Sequence, residues 1–412
     1  MPDAEVRARL PRGAWFAVAS TGLLLVFVSA GTPIPLYNTY RGGDGLTNAD
    51  LSVATAAYLS AAAVSLLVLG RLSDHLGRRP VGVAALLVSA LGLVVLLGVD
   101  GLEPLLGGRL LQGVAIGMAS SALGAYVVDC APERRAWLPA AVTTSAPLLG
   151  IPLGALLSGA LVDDAPDPRH LTYAVVAALL VAAAVLVGLG PETVPRTVSR
   201  RDAVRPVVAS LRPRVAVPAG AGRPLAAMAA LILSVWSLGG FFQAFGPAIA
   251  AQQLGSDASL TAGAVFASFS LLAVLGGPLT ARLRPDLTMR FAVVVYAVCL
   301  LGILATLRAG GLVPFLLVSL TAGIATGAAQ TGGMRTLLAR TSAADRAGLL
   351  STVFLLNYSS AAVPSLVAGR LTTTFSLVQI AAGYVALASV GIVAVLVLAR
   401  PPARPAEVAG RG

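Results

Sequence analysis

The chain has 412 residues, 57% of them hydrophobic and 11% charged, with a mean hydropathy of +0.86. A soluble domain carries about 25% charged residues, so this composition excludes a protein whose whole surface faces water and makes lipid its main solvent. All 29 basic residues are Arg, and against 18 acidic residues they leave a net charge of +11. They are scattered through short loops between apolar runs rather than gathered in one basic patch, so a membrane pattern is expected and a nucleic-acid partner is not.

A polar N-terminus leads into the first apolar run, which is long enough to span, is followed by no small-residue cleavage site, and reads as an uncleaved helix. Crossing the hydrocarbon core takes about 20 apolar residues. Runs of that kind cover residues 14–36, 47–70, 80–99, 104–129, 136–162 and 170–190, and then 224–250, 259–282, 289–308, 312–335, 347–370 and 376–399. None shows the short alternating pattern of a barrel strand. Between the sixth and seventh runs lies a segment rich in Pro and Arg that reads as a surface linker with room for one short helix. The expected organisation is an all-α membrane protein: a six-helix bundle in residues 1–190, a linker in 191–223, a second six-helix bundle in 224–400, and a tail in 401–412. If the N-terminus is cytoplasmic, 24 Arg lie on the inner side and 4 on the outer, with Arg109 inside a span. That asymmetry places both termini in the cytoplasm of a multi-pass protein of the plasma (inner) membrane.

The two halves carry matching fragments at offsets a little over 200 residues. Gly113 to Gly117 read GVAIG in the fourth span and Gly323 to Gly327 read GIATG in the tenth. The second span ends in GRLSD and the eighth in GPLTA. Pro147 and Pro152 lie in the fifth span, Pro364 in the eleventh. Such repeats place a substrate site at their interface near the middle of the membrane.

The turn between the second and third spans, GRLSDHLGRRP (Gly70 to Pro80), concentrates charge. Gly70 allows close packing of a helix end and Gly77 a tight turn. Asp74 can meet a helix N-terminus of the other half, and Arg78 and Arg79 can pair with carboxylates on neighbouring helices. The stretch resembles the signature loop of the major facilitator superfamily, Gly-x-Leu-Ala-Asp-x-x-Gly-Arg-Lys/Arg, with Ser73 in place of Ala. The resemblance implies a latch between the halves in the outward-facing state: Asp74 against the start of the eleventh helix, and Arg78 paired with an acid at the inner end of the fourth, where Asp129 stands. The second half keeps only GPLTARLRP, so an equivalent latch there is weakened or absent.

Two further stretches carry the same resemblance. RLLQG (Arg109 to Gly113) is similar to the family's fourth-helix motif Arg-x-x-Gln-Gly, and its Arg109 and Gln112 share a helix face. An Arg in a span must face a cavity or partner, or snorkel to the surface. APLLGIP (Ala146 to Pro152) resembles the antiporter motif Gly-Pro-x-x-Gly-Gly. Pro147 and Gly150 match, while Ala146 and Ile151 replace glycines. In the family that motif marks exporters.

Polar and aromatic side chains inside the spans are the candidates for substrate contact: Arg109 and Gln112, then Trp236, Phe242 and Gln243 on the seventh span, Gln330 with Thr326 on the tenth, and Asn357 and Tyr358 on the eleventh. Tyr37 and Asn38 join them at the outer end of a first helix interrupted by Pro33 and Pro35. Pro147, Gly150, Pro152 and Pro364 are the candidate flexing points. No Asp or Glu lies deep in a span. Asp50 and Asp345 read as capping boxes and His170 as an interfacial residue, so the protons that the family leads one to expect as coupling ion have no assigned carrier. No nucleotide loop, catalytic triad or metal-ligand spacing is visible, and Cys130 and Cys299 read as buried and unpaired. Neither cofactor, metal nor enzymatic activity is expected, and the expected state is a monomer. The expected function is alternating-access, proton-coupled efflux of a small organic drug or metabolite. The alternatives are uptake or exchange of a sugar or other metabolite, and a non-transporting membrane sensor on the same fold.

Overall fold

The structure is a computed structural model and describes residues 12–133, 135, 137–164, 167, 169–194, 211–212, 222–339, 341–342 and 345–399. Most of the linker and the C-terminal tail lie outside these, as does any short helix between residues 195 and 210. Among the described residues twelve helices are long and apolar enough to cross a membrane. They are α1 (Gly13–Gly31), α2 (Asn48–Leu69), α3 (Arg78–Leu97), α4 (Leu102–Asp129), α5 (Leu138–Asp164), α6 (Leu171–Leu189), α7 (Gly222–Gln252), α8 (Ser259–Leu279), α9 (Pro285–Ala309), α10 (Leu312–Leu338), α11 (Gly348–Leu371) and α12 (Leu377–Leu398). Helix α1 stops earlier than the apolar run suggests. Pro33 and Pro35 have no amide hydrogen to continue the ladder, and Tyr37 and Asn38 lie on a separate short helix, Tyr37–Gly43.

Helix starts follow their caps. Thr47 and Asp50 form the expected capping box at α2, and Ser376 with Gln379 makes another at α12. Ser342 and Asp345 also bond each other, but the helix of α11 opens at Arg346, which puts Asp345 at the N-cap rather than in a box.

Large apolar side chains left uncovered by the protein run down single helix faces: Leu87, Leu91 and Val94 on α3, Phe291, Val294, Val298 and Leu301 on α9, and Val390, Val393 and Val397 on α12. The three- and four-residue spacing makes each a continuous stripe, which is the lipid-facing side. Where helices meet, small residues let the backbones touch. Gly113 and Gly117 press α4 against α2: a Cβ on Gly117 would lie 2.5 Å from the Ser65 side chain. Gly323 and Gly327 press α10 against α8 in the same way, with a Gly323 Cβ 2.7 Å from the Phe269 carbonyl. The matching GVAIG and GIATG fragments thus make equivalent crossings in the two halves.

Two apolar cores result. One is built mostly from α1 to α6, the other from α7 to α12. The halves meet through α2 against α11 and α7, and α5 against α8. The start of α7 lies beside the end of α12, where Arg223 donates to the Leu398 carbonyl. That end of the bundle also holds the Arg-rich loops, and is called the Arg-rich end below.

A Cβ at Gly327 meets the Ala273 backbone, which cannot yield as a side chain can, whereas Gly383 has open space around it. Gly327→Ala is expected to destabilise the detergent-solubilised protein by roughly 1–3 kcal/mol and Gly383→Ala to leave it unchanged, as read from thermal unfolding.

Candidate functional site

The charged loop at the Arg-rich end is built around one backbone requirement. Gly77 adopts φ +103°, a conformation L side chains rarely take, and a Cβ there would run into the Glu192 carboxylate. Glu192, just beyond α6, accepts hydrogen bonds from the Arg78 and Arg79 amides at 2.9 and 3.2 Å, so it caps the free N-terminus of α3. Arg78 bonds Asp74 and lies 3.6 Å from Asp129. The expected carboxylate partner of Arg79 is replaced by the Gly188 and Gly190 carbonyls at the C-terminal end of α6, another favourable place for a cation. Ser121 donates to the Gly70 carbonyl and fastens the end of α2 to α4. Among the described residues Asp74 bonds Arg78 within its own half and does not reach the start of α11. Glu192 escaped the sequence reading because it sits in a segment that reads as linker. Its signal is a lone acid just past a helix C-terminus, where a dipole alone would not favour it.

At the opposite end, the broken α1 explains the Arg-x-x-Gln pair. Pro33 cannot donate to the Ser29 carbonyl, and the Ile34 amide turns to Gly31 instead of Ala30. Both carbonyls lose their backbone partners, and the Thr32 hydroxyl donates to Ser29 O at 2.7 Å. Gln112 Nε2 donates to Ser29 O at 2.7 Å, and Arg109 Nη1 donates to Ala30 O and to Gln112 Oε1, each at 2.8 Å. Arg109 is completely buried, so it neither snorkels nor borders the cavity described below. Its guanidinium lies 4.4 Å from the centre of the Tyr58 ring. Among the described residues its Nε and Nη2 have no hydrogen-bond partner, nor has the hydroxyl of the buried Tyr37.

The short helix after α1 ties the halves together. Asn38 Nδ2 donates to the Pro247 carbonyl of α7 at 2.9 Å, and Arg41 orients Asn38 by donating to its Oδ1 at 2.8 Å. Partial burial lowers the Arg41 guanidinium below its usual value, and burial raises the Tyr40 phenol, whose hydroxyl lies 2.6 Å from that of Tyr173. Asp44 pairs with Arg169 on the same rim, and His170 lies exposed beside Asp167.

Between the halves lies a cavity of about 420 Å³. Helices α1, α2, α4 and α5 of one half and α7, α8, α10 and α11 of the other line it. Its lining residues sit around the middle of the helices, as on α5 (143–152), α8 (266–273) and α11 (354–361), with those on α4 and α10 toward the Arg-rich end and those on α1 toward the other. Of the expected contacts, Trp236, Gln243, Gln330 and Tyr358 line it, with Thr326, Pro147 and Pro152. Trp236 Nε1 donates to Gln330 Oε1 at 3.2 Å and its ring stands edge-on to Tyr358, 5.7 Å between centroids. The other expected contacts lie elsewhere. Phe242 is buried away from the cavity, stacked on Phe269 and Phe315. Asn357 is buried behind the wall with its Oδ1 unpartnered. Gly150 is a close-packing point, where a Cβ would lie 2.5 Å from that of Phe27. Pro364 borders a separate apolar groove between α11 and α12. The sequence reading missed Phe27, Tyr58, Phe266, Phe269 and Phe354, which line the cavity but carry no mark to separate them from core aromatics.

The far end of the cavity is shut by contacts between the halves. Asp163, at the end of α5, accepts from the first two amides of α8, Ser259 N and Leu260 N, each at 2.8 Å. A Cβ on Gly159 would lie 2.6 Å from the Ser259 carbonyl, and one on Gly263 2.6 Å from the Ala155 carbonyl. Gly369 of α11 packs directly on Ser52 of α2. Among the described residues no group of His, Cys, Asp and Glu could hold a metal ion, and Cys130 and Cys299 are buried and form no disulfide. A family model described as Major Facilitator Superfamily matches residues 19–366.

Glu192 satisfies amides that would otherwise be unpaired at the start of α3. Glu192→Ala is expected to cost about 1–2 kcal/mol in thermal stability, and Glu192→Gln, which keeps one acceptor, about half as much.

Proposed function

The chain belongs to the Major Facilitator Superfamily, a membrane transporter family, and on that premise we propose that it exports a small organic drug or metabolite across the plasma membrane by proton antiport, with both termini cytoplasmic. The carrying observation is the cavity: both halves line it near the middle of the helices, and cross-half contacts close the end opposite the Arg-rich loops. With the Arg-rich end taken as cytoplasmic, this is an inward-facing state. Alternating access then consists of the two halves, residues 1–190 and 224–400, rocking about the cavity while the linker 191–223 joins them. Pro147 on the cavity wall and Gly150 packed against α1, both in the stretch that the antiporter resemblance covers, support the outward direction.

The position of Asp74, bonded to Arg78 within its own half and not to α11, fits this state. A carboxylate that latches the inner end to α11 when the protein faces outward must let go when it faces inward. Asp163 then has the complementary task. Its two charge-assisted bonds to the N-terminus of α8 hold the outer end closed. The residues that line the cavity include no carboxylate.

Two measurements test these statements. With spin labels at positions 164 and 257, Asp163→Ala is expected to shift the distance distribution toward a wider outer end. An unaltered distribution removes Asp163 from the gate. In vesicles, an imposed proton gradient is expected to drive flux that stops when the gradient collapses. Gln243→Ala is expected to lower that flux about tenfold at unchanged expression, because no protein group depends on the Gln243 amide and its loss orphans nothing.

A further inference from the structure

The cavity carries no Asp, Glu, Lys, Arg or His among the residues that line it. Its polar groups are neutral and lie mostly on the second half. Gln243 has no partner among the described residues, Gln330 keeps its Nε2 free because Oε1 is taken by Trp236, and the Ser270 hydroxyl is orphaned. Facing them from the first half are Phe27, Leu23, Leu59 and the Tyr58 ring, with Ser120 and with Thr143 and Thr144, whose hydroxyls bond carbonyls of their own helix. A ligand that satisfies both walls has a flat apolar side and a neutral edge carrying hydrogen-bond donors and acceptors.

Behind Tyr58 stands Arg109, the only ionised side chain fully buried among the described residues. Arg109 has no carboxylate partner among the described residues, and the C-terminal end of α1 supplies only about half a negative charge against it. The remaining positive charge acts on the cavity through the Tyr58 ring, whose hydroxyl bonds nothing among the described residues. In this low-dielectric setting the charge is screened weakly. A cation entering the cavity gives up its hydration, finds no carboxylate, and meets that field. A neutral compound with an acceptor near Tyr58 incurs no such cost and gains a donor polarised by the guanidinium.

We infer that the transported compound is an uncharged aromatic amphiphile with hydrogen-bonding groups along one edge, and that Arg109 sets this charge selectivity through Tyr58 without touching the ligand. The inference rests on the cavity being the transport site. It makes Arg109 a specificity-determining residue as well as the group that caps α1.

The test uses two compounds with one shared tricyclic aromatic core, one bearing a carboxamide and the other a trimethylammonium group. Binding is read as quenching of Trp236 in full-length protein whose Trp15 and Trp137 are replaced by Phe, and flux of each compound is measured in vesicles. The carboxamide is expected to bind on the order of tenfold more tightly than the ammonium compound. Arg109→Gln should narrow that ratio to about threefold or less, Arg109→Lys should preserve it, and Tyr58→Phe should weaken the carboxamide several-fold. The wild-type ratio decides the question if Arg109→Gln fails to fold. Equal or tighter binding of the ammonium compound, with flux present, overturns the charge selectivity and leaves the transport site standing. A folded Arg109→Gln with an unchanged ratio overturns the part given to Arg109. No quenching and no flux with either compound overturns the cavity reading and this inference together.

Discussion

A backbone amide or carbonyl left unpaired in hydrocarbon costs several kcal/mol, and this constraint orders the rest of the molecule. It makes each crossing a helix, and it makes each broken or exposed helix end a place where a side chain must substitute for the missing ladder. Pro33 frees the Ser29 carbonyl, and Gln112 meets it. The start of α3 has free amides, and Glu192 meets two of them. The start of α8 is met by Asp163 from the other half. The groups that cap helices are therefore also the groups that hold elements and halves together.

This has a consequence for movement. A cap within one half is permanent, as at Glu192 and Gln112. A cap reaching across halves can be exchanged, because the amides it leaves face water at the rim when the ends part. Asp163, at one rim, is a cap of this second kind. The close glycine crossings at Gly159, Gly263 and Gly369 add surface contact to the closed end without any chemical group that must be re-satisfied. The cavity between them stays neutral, and the one deep charge is kept a ring away from it.

Much of this was legible in the sequence. Twelve long apolar runs, a Pro- and Arg-rich gap and a strong Arg asymmetry gave the architecture, because hydrocarbon thickness fixes the length of an apolar helix and leaves little choice of fold. The loop Gly70 to Pro80 was recognisable because its glycines and charges are set by local backbone geometry. Trp236, Gln243, Gln330 and Tyr358 stood out as polar or amphipathic groups in apolar surroundings. Periodicity alone could not say which face of a helix meets lipid, core or cavity when all three are apolar. Phe242 and Phe269 look alike in sequence, yet only Phe269 borders the cavity.

The sequence by itself determined that the chain lives in a bilayer, crosses it twelve times, and repeats one six-helix plan, since each of these follows from length and periodicity over single helices. Only the tertiary structure decided that Arg109 caps α1 and backs Tyr58, that Asp74 stays within its own half, and that Asp163 closes the far end. Each of those depends on which helix ends are brought within hydrogen-bond reach of one another, a matter of packing between segments more than 70 residues apart for Arg109 and 90 for Asp163.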